Sequence, residues 1–279
     1  CLAVIAAKRR KIPVFHMEAG NRCFDQRVPE EINRKIVDHL SDINIVITEH
    51  ARRYLLAENI LPDRIFKFGS HLPEVFDAFR EQINSSGVLK RTGLSSGEYY
   101  LVSAHREENV DKQSRLELLV DSLNGLAESR DATVLVSTHP RTQSRLSKLG
   151  ARYIDTRIRF EKPFGFFDYV HLQMNARCVL SDSGTITEES AILGFPAVTI
   201  RDCHERPEGM DEGVLVMCGL GRDEVLRAVG LAESQVQSRK RSPYKINAYS
   251  SSDVSWKLLK LVHSYIPFVQ ERVWRENVT

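Results

Sequence analysis

The sequence predicts an α/β protein built from two Rossmann-like domains. Short apolar runs rich in Val and Ile alternate with helical stretches along the whole chain, the pattern of βαβ units and a parallel sheet. A polar stretch near residues 78–96, with Ser, Gly and Lys but no clear apolar period, separates two such blocks and predicts a linker. Because ligands bind beyond the carboxyl ends of strands in such sheets, the residues directly after each predicted strand are the first functional candidates.

The first block contains three predicted strands and three predicted helices. The strands are at 13–17, 43–48 and 64–69. The helices are at 1–10, 30–40 and 50–59, and the stretch LPEVFDAFREQ at 72–82, which runs into the linker, is also predicted to be helical. The helix at 30–40 is predicted from its apolar residues Ile32, Ile36 and Leu40, which share one face.

The second block repeats this alternation with more elements. Its predicted strands are at 99–104, 133–138, 178–181, 195–200 and 214–217. Its predicted helices are at about 112–128, 164–176, 185–194, 222–232 and 252–265. The right-handed crossover rule places helices on both faces of each sheet. We therefore expect domains at 1–78 and 79–261, with a C-terminal helix at about 262–279 packing back on the first.

Composition excludes several classes of protein. Lys plus Arg number 39 against 37 Asp plus Glu, without the basic excess of a nucleic-acid-binding protein. The longest apolar runs are much shorter than a membrane span. The five cysteines include no CxxC pair, so neither a disulfide framework nor a structural zinc site is indicated. We expect reduced thiols in a cytoplasmic enzyme.

The first residue indicates a fragment. The chain opens with Cys1 and runs into the later part of a helix that has no preceding cap. It also lacks the pattern of a signal peptide. We therefore expect a longer protein whose N-terminal domain is incomplete here.

One candidate phosphate site lies at the strand-to-helix junction SDSGTITEE, residues 181–189. Ser183, Gly184 and Thr185 offer close backbone approach, N–H groups and hydroxyls at the positive end of a helix. Glu189 can accept hydrogen bonds from a ribose diol. The alternative is an ordinary capping box, which the same letters support equally well.

Carboxylates follow the first predicted strand. Glu18 comes directly after it, and Glu30 and Glu31 begin the next helix. Two carboxylates in one cleft can divide acid and base roles. The alternative for Glu30 and Glu31 is that they complement the helix dipole, and the residues alone favour it.

Two further candidate segments also follow strands. In SAHREEN, His105 is a candidate general acid or base and Arg106 a candidate phosphate ligand; the alternative is a mixed-charge surface loop. In RDCHERPEGM, Arg206 can clamp a diphosphate. Cys203 and His204 are adjacent, but no partner with ligand spacing accompanies them, so no metal site is predicted.

Five segments together resemble the non-hydrolysing UDP-N-acetylglucosamine 2-epimerase family. They are, in order, HMEAGNR, PEEINRKIVDHLSD, SAHREENVD, SDSGTITEES and CHERPEGMDEG. The resemblance covers nearly the whole chain. It implies a GT-B-like fold, in which two Rossmann-like domains face a central cleft, and a homodimer that needs neither NAD nor a metal as cofactor.

The resemblance also implies roles for particular residues. The catalytic groups would be Glu18, Glu30 and His105, with a further Asp before Cys1. The UDP-binding residues would be Arg106, Tyr169 near the uracil, Ser183, Gly184 and Thr185 on the diphosphate, Glu189 on the ribose and Arg206 on a phosphate.

The residues within the motifs resemble those of one branch of that family. HREENVD, SGT and CHERPEGMDEG look like the branch that forms UDP-N-acetyl-L-fucosamine from UDP-2-acetamido-2,6-dideoxy-L-talose for O-antigen, capsule and lipopolysaccharide. The alternatives are an epimerase that converts UDP-N-acetylglucosamine to UDP-N-acetylmannosamine, a hydrolysing epimerase, a GT-B UDP-sugar glycosyltransferase, and a catalytically silent nucleotide-sugar-binding module.

Overall fold

The computed structural model describes residues 1–147, 154–238 and 246–275. Contacts group the chain into two compact units. The first unit contains Cys1–Val75, Cys203–Glu208 and the described residues of Lys245–Thr279, and the second contains the described residues of Phe76–Asp202 and Gly209–Tyr244. The ranges 1–78 and 79–261 inferred from the sequence stay a prediction of the domains.

The early elements alternate short strands with helices. They are α1 (Leu2–Arg9), β1 (Phe15–Met17), α2 (Pro29–Leu40), β2 (Ile43–Val46), α3 (Glu49–Ala57), a 3₁₀ turn (Pro62–Arg64), β3 (Ile65–Lys67) and α4 (Leu72–Ala78). Pro29 begins α2, where no N–H is required, and the Thr48 hydroxyl accepts a hydrogen bond from Ala51 N to cap α3. β1, β2 and β3 form one parallel sheet in that order.

The remaining elements belong mostly to the second unit. They are α5 (Arg80–Asn84), α6 (Val88–Thr92), β4 (Tyr99–Ser103), α7 (Glu107–Val110), α8 (Gln113–Arg130), β5 (Thr133–Ser137), α9 (Pro140–Leu146), β6 (Ile158–Glu161), α10 (Phe166–Asn175), β7 (Cys178–Ser181), α11 (Ile186–Leu193), β8 (Ala197–Ile200), α12 (Pro207–Asp211), β9 (Val216–Cys218), α13 (Arg222–Ser238) and α14 (Val254–Phe268). A π-helical turn, Val269–Val273, follows α14.

The second unit contains a six-stranded parallel sheet with the order β6-β5-β4-β7-β8-β9. Alternate residues of β4 enter different cores: Tyr100 and Val102 pack with α8 and α13, whereas Tyr99 and Leu101 pack with α10 and α11. Burial on both faces explains why these strands read as continuous apolar runs.

The sheet of the first unit is also covered on both faces. Val46 and Ile65 pack against Ala51 and Leu55 of α3. Ile43 and Ile45 pack in a cluster with Leu261 of α14 and with Val269, Phe268 and Trp274. Of the helix predicted at about 262–279, residues 276–279 lie outside the described residues.

One prediction about elements was wrong, and one strand was not predicted. The stretch 78–96 is not an irregular linker, because it contains α5 and α6, which bury Ile83 and Val88. The backbone oxygen of Ile83 also lies 2.8 Å from Nδ1 of His171 on α10. β6 was missed because its letters, IRFE, alternate apolar with charged residues, as suits a strand at the sheet edge.

The buried side chains of α2 are not the apolar ones from which the helix was predicted. Ile32 is 49% exposed and Ile36 is 38% exposed, whereas Glu31 and Asp38 are buried. Carboxylates occupy this face because neighbouring backbone N–H groups and an arginine need acceptors there, as described below. Separately, no helix within the described ranges is long and apolar enough to span a membrane.

Candidate active site

The second unit has a topological switch point between β4 and β7. The chain runs outward from β4 to β5 and β6, then returns to β7 and continues through β8 to β9. Ser103 and Ser181, the last residues of β4 and β7, are register partners. In parallel sheets with this order, ligands bind beyond the carboxyl ends of these two strands. The predicted residues His105, Arg106 and Ser183 follow them directly.

Asp182 joins the two loops at this point. Its buried carboxylate accepts hydrogen bonds from His105 N at 3.0 Å, Arg106 N at 2.9 Å and Asn109 Nδ2 at 3.1 Å. Its backbone oxygen accepts from Arg106 Nε at 2.8 Å. The His105 side chain is 42% exposed, with Nδ1 3.3 Å from Asp182 Oδ1. His105 is thus oriented by a carboxylate and open to a ligand.

The hydroxyl-rich loop leads into α11. Ser183 N donates to Ser181 Oγ at 3.1 Å, and the Ser183 and Thr185 hydroxyl oxygens lie 2.9 Å apart. Thr185 occupies the N-cap position, but its hydroxyl donates to Glu189 Oε1 at 2.7 Å and does not cap the helix backbone. The capping-box alternative is therefore not formed in this structure. The first turn of α11 keeps the N–H groups and dipole that suit an anion.

Glu189 and Tyr169 lie near the same carboxyl edge. Gln173 Nε2 donates to Glu189 Oε2 at 2.5 Å. Burial raises the pKa of Glu189, although its hydrogen bonds with Gln173 and Thr185 oppose the shift. Burial also raises the pKa of Tyr169, helped by the Glu189 charge and opposed by a hydrogen bond with Ser103. A buried carboxylate of this kind favours partners that donate hydrogen bonds to it.

In the first unit, Glu18 lies directly after β1 with φ 59°, in the left-handed region that glutamate rarely adopts. Its side chain is 46% exposed, and one carboxylate oxygen contacts Nη2 of Arg206. Arg206 is almost fully buried, and its N–H donates to His204 Nδ1 at 3.2 Å. The structure therefore brings together two residues that are 188 positions apart in sequence.

Glu30 and Glu31 have different environments. Glu30 is exposed in the first turn of α2. Glu31 is buried and accepts hydrogen bonds from Cys23 N at 3.0 Å and Phe24 N at 3.3 Å. Glu31 thus stabilises the loop before the helix, and Glu30 is the carboxylate of the pair that a ligand can reach.

The sequence did not identify the buried polar network beneath the Glu18 loop. Asp38 accepts from Gly20 N at 3.2 Å and from Arg22 Nη1 at 2.7 Å. Arg22 also donates to both carboxylate oxygens of Glu58, at 2.8 and 2.7 Å. The Arg22 hydrogen bond lowers the pKa of Glu58 to about 2, even though burial opposes the shift. The spacing of Glu31 and Asp38, seven residues apart on one helix face, was the available indication.

The environment of the cysteine thiols indicates a structural role. Cys23 Sγ lies 3.4 Å from a Glu31 carboxylate oxygen, and burial raises the pKa of this thiol to about 11. All five cysteines are free. Among the described residues, no group of three His, Cys, Asp or Glu side chains is arranged to hold a metal ion.

A Rossmann strand order with a hydroxyl-rich loop at its switch point defines a nucleotide-binding class of α/β protein. Comparison with known proteins identifies the family within this class. A sequence profile described as UDP-N-acetylglucosamine 2-epimerase matches residues 1–263. The chain belongs to the UDP-N-acetylglucosamine 2-epimerase family. The resemblance seen in the five motifs is thereby confirmed at the level of the family.

Two curated relatives are similar over most of this chain. UDP-N-acetylglucosamine 2-epimerase of Methanocaldococcus jannaschii is 34% identical over 234 residues, which cover 81% of this chain and 63% of the relative. UDP-2,3-diacetamido-2,3-dideoxy-D-glucuronate 2-epimerase of Pseudomonas aeruginosa is 30% identical over 227 residues, covering 80% of this chain and 62% of the relative. The chain thus spans less than two thirds of the length of these relatives.

Solved structures have the same fold. UDP-N-acetylglucosamine 2-epimerase from Rickettsia bellii is 49% identical with a TM-score of 0.90, covering 99% of this chain and 74% of that one. The M. jannaschii enzyme in complex with UDP-GlcNAc and UDP is 30% identical with a TM-score of 0.84, covering 94% and 72%. The predicted GT-B-like α/β class, with parallel sheets, is confirmed.

Proposed function

We propose that the protein is a UDP-sugar 2-epimerase, which inverts C2 of a UDP-2-acetamido sugar by anti elimination of UDP and re-addition. The observation that carries the proposal is Glu18: an accessible carboxylate directly after a parallel strand, in a left-handed backbone, contacting the buried Arg206. A carboxylate held this firmly suits removal of a proton. Membership of the family supports the same reaction.

The second unit supplies the UDP-binding residues in this proposal except Arg206, which belongs to the first unit. The diphosphate binds at the N-terminal end of α11, where Ser183, Gly184 and Thr185 offer N–H groups and hydroxyls. Glu189 accepts hydrogen bonds from the ribose diol, and Tyr169 lies beside the uracil. Arg106 and Arg206 bind phosphate oxygens. The solved complex of the M. jannaschii relative with UDP-GlcNAc and UDP supports UDP as the common ligand.

The chemistry explains why carboxylates are needed. No carbonyl neighbours C2, so its proton becomes removable only as the bond from C1 to UDP breaks. The electron pair of the C2–H bond forms the C1=C2 double bond, and UDP leaves with the electron pair of the C1–O bond. Glu18 and Glu30 act as the base and acid at C2, and His105 with the phosphate-binding residues stabilises the departing diphosphate. Re-addition of UDP, with protonation of C2 from the other face, gives the epimer.

We assign the substrate to the 6-deoxy branch, UDP-2-acetamido-2,6-dideoxy-L-talose to UDP-N-acetyl-L-fucosamine, for surface polysaccharide. Support comes from the segment Cys203–Glu208, in which Cys203 and His204 stand where the common form of the family has Thr-Thr before Glu-Arg-Pro-Glu. His204 accepts the backbone hydrogen bond of Arg206, which contacts Glu18. The P. aeruginosa relative is named for a different 2-acetamido sugar, so one family covers several sugars.

The test follows C2 directly. The protein is incubated in D2O with UDP-2-acetamido-2,6-dideoxy-L-talose and, separately, with UDP-N-acetylglucosamine, and proton NMR monitors the C2 hydrogen. We expect deuterium at C2 and the inverted UDP-sugar from the first substrate. If C2 exchange occurs only with UDP-N-acetylglucosamine, the reaction is instead the formation of UDP-N-acetylmannosamine. Free sugar plus UDP would identify a hydrolysing epimerase. UDP release that requires an acceptor sugar would identify a glycosyltransferase, and UDP binding without any turnover a binding module.

Glu18→Gln and Glu30→Gln test the catalytic assignments. Each should abolish C2 exchange while UDP binding, measured by calorimetry, survives, because neither variant changes Ser183, Thr185, Glu189 or the other proposed UDP ligands. Asp63→Asn is the matched control: Asp63 is exposed just before β3, at the opposite end of the sheet from Glu18. Full C2 exchange by Glu18→Gln would remove Glu18 from the mechanism.

The proposal includes a homodimer in the cytoplasm. The exposed apolar side chains of Ile32 and Ile36 on α2 support a second copy as the partner. Light scattering at micromolar concentration should give twice the mass of one chain, and Ile32→Asp should lower it. A monomeric mass for the unmodified protein would exclude this part of the proposal.

A further inference from the structure

A buried carboxylate on α2 contacts the chain on both sides of Glu18. Asp38 lies in the third turn of α2, and its side chain has no solvent exposure. Its Oδ1 lies 2.7 Å from His16 Nδ1, and its two oxygens accept from Gly20 N at 3.3 and 3.2 Å. His16 is two residues before Glu18, and Gly20 is two residues after it. The same carboxylate therefore holds the chain on both sides of Glu18.

Arg22 also holds the Asp38 carboxylate in place. Its Nη1 donates to Asp38 Oδ2 at 2.7 Å and to the backbone oxygen of Asn21 at 2.9 Å. The rest of the guanidinium is paired with both oxygens of Glu58. Asp38 is thus held by a fixed arginine as well as by its own helix, and it cannot follow the loop if the loop moves. The bidentate pairing of Arg22 with Glu58 fixes the position of the guanidinium as well as pairing its charge.

Glu18 needs such support because its backbone is unfavourable. A left-handed glutamate persists only where the surroundings determine it. The next residue is also held, since Ala19 N donates to Ile45 O of β2 at 3.1 Å. We infer that Asp38 is a positioning residue for Glu18: through His16, Gly20 and Arg22 it sets where the Glu18 carboxylate lies. The inference rests on the proposed role of Glu18 in proton transfer.

Asp38→Asn is the first test. It keeps the size of the side chain but replaces one acceptor oxygen by an N–H₂ group, which faces donors on the loop and on Arg22. We expect kcat to fall about 100-fold, the effect of a reacting group misplaced by about 1 Å, while KM stays within about threefold.

Asp42→Asn is the matched control. Asp42 is also a fully buried carboxylate near β1, but it accepts from Val14 N at 2.9 Å and pairs with Lys8, at the amino end of the strand. The Asp42→Asn substitution removes a partly buried ion pair without touching the Glu18 loop. We expect its kcat to stay within about threefold of the unmodified protein, because the reacting group does not move.

An isotope effect separates positioning from mere loss of folded protein. A partly unfolded preparation lowers kcat but leaves the ratio of rates for C2-protiated and C2-deuterated substrate unchanged. If Asp38 positions the base, proton transfer becomes slower relative to the other steps in Asp38→Asn, so this ratio rises. It should not change in Asp42→Asn. An unchanged ratio in Asp38→Asn, or equal losses of kcat in both variants, would overturn the inference.

His16→Phe provides a second route if Asp38→Asn does not fold. The phenyl ring preserves bulk at a partly exposed position and removes only the hydrogen bond to Asp38. A raised isotope effect with UDP affinity unchanged supports the inference, and an unchanged isotope effect overturns it. Glu18→Gln in the same assay keeps the two questions apart. If Glu18→Gln turns over normally, the proposed role of Glu18 fails. If only Glu18→Gln is inactive, the positioning inference fails by itself.

Discussion

Glu18 and Gly20 are two residues apart and both have positive φ, 59° and 78°. Gly20 meets this requirement without strain, and it also allows close approach of α3. A Cβ at this position would lie 2.5 Å from the backbone oxygen of Ala51 and 2.9 Å from Leu55 Cγ. Glu18 has no such freedom, so its conformation depends on its neighbours. At the scale of single residues, the loop is shaped by backbone conformation as much as by side-chain chemistry.

Gly20→Ala should therefore lower the free energy of unfolding by about 3 kcal/mol, from the left-handed backbone and the overlap with α3 together. Gly93→Ala is the control, since Gly93 has φ 65° but nothing within 4 Å of an added Cβ. It should cost about 1 kcal/mol, the conformational part alone. Urea unfolding measures both values. Equal losses would show that α3 moves aside and that the close approach is not important.

At the scale of elements, the loops after β1 and β4 are held by carboxylates from different kinds of element. After β1, the loop depends on carboxylates from α2, which turns a polar face inward. After β4, the loop depends on Asp182 at the end of the neighbouring strand β7. Both give backbone N–H groups an acceptor where the sheet has ended, which irregular buried backbone requires. Each loop is consequently held by hydrogen bonds from its backbone N–H groups to a buried carboxylate.

Asp182→Asn should weaken UDP binding about tenfold, because its amide cannot accept from the His105 and Arg106 N–H groups together and the loss of one charge-assisted hydrogen bond has about this effect. Asp155→Asn is the control. Asp155 is buried too and pairs with Arg157, but it precedes β6 at the amino edge of the same sheet. Calorimetry with UDP should show weaker binding in the first variant only. Equal affinities would indicate that the 105–109 loop does not contribute to UDP binding.

At the scale of the whole molecule, the first unit is assembled from three separate stretches of chain. Cys203–Glu208 contributes Arg206 to Glu18, and Glu205 accepts from Arg34 Nη2 at 2.9 Å. Glu208 accepts a hydrogen bond from Tyr249. The last stretch contributes α14, which covers one face of the three-stranded sheet. The candidate catalytic loop therefore depends on chain that follows it by almost two hundred residues.

Leu261→Ala should destabilise the first unit by about 3 kcal/mol, since Leu261 is buried against Ile43 and Ile45 and its truncation leaves a cavity. Hydrogen exchange should quicken in β1–β3 and stay unchanged in β4–β8. Leu259→Ala, at a position 46% exposed on the same helix, should leave both sheets unchanged. Equal acceleration in both sheets would mean that the two units do not unfold separately.

The sequence predicted much of this fold because its main cues are local. Val- and Ile-rich runs predicted eight of the strands, each to within three residues at its ends, and five ordered motifs led to the family. The edge strand β6 and the helix α6 were not found, and α5 was predicted only at its start, because their residues are mixed and their burial depends on partners elsewhere in the chain. The site assignments Glu18, Glu30, His105, Arg106, Tyr169, Ser183, Gly184, Thr185, Glu189 and Arg206 stay predictions.

By itself, the sequence determined the alternation of strands and helices and the carboxyl-end positions of Glu18, His105 and Ser183. These follow from periodicity and from the direction of parallel strands, which neighbouring residues encode. Only the tertiary structure decided that Asp38 lies under the Glu18 loop, that Asp182 joins two loops and that Arg206 contacts Glu18. Buried hydrogen bonds pair groups that are distant in the chain, so their partners are chosen by packing and cannot be identified from local pattern.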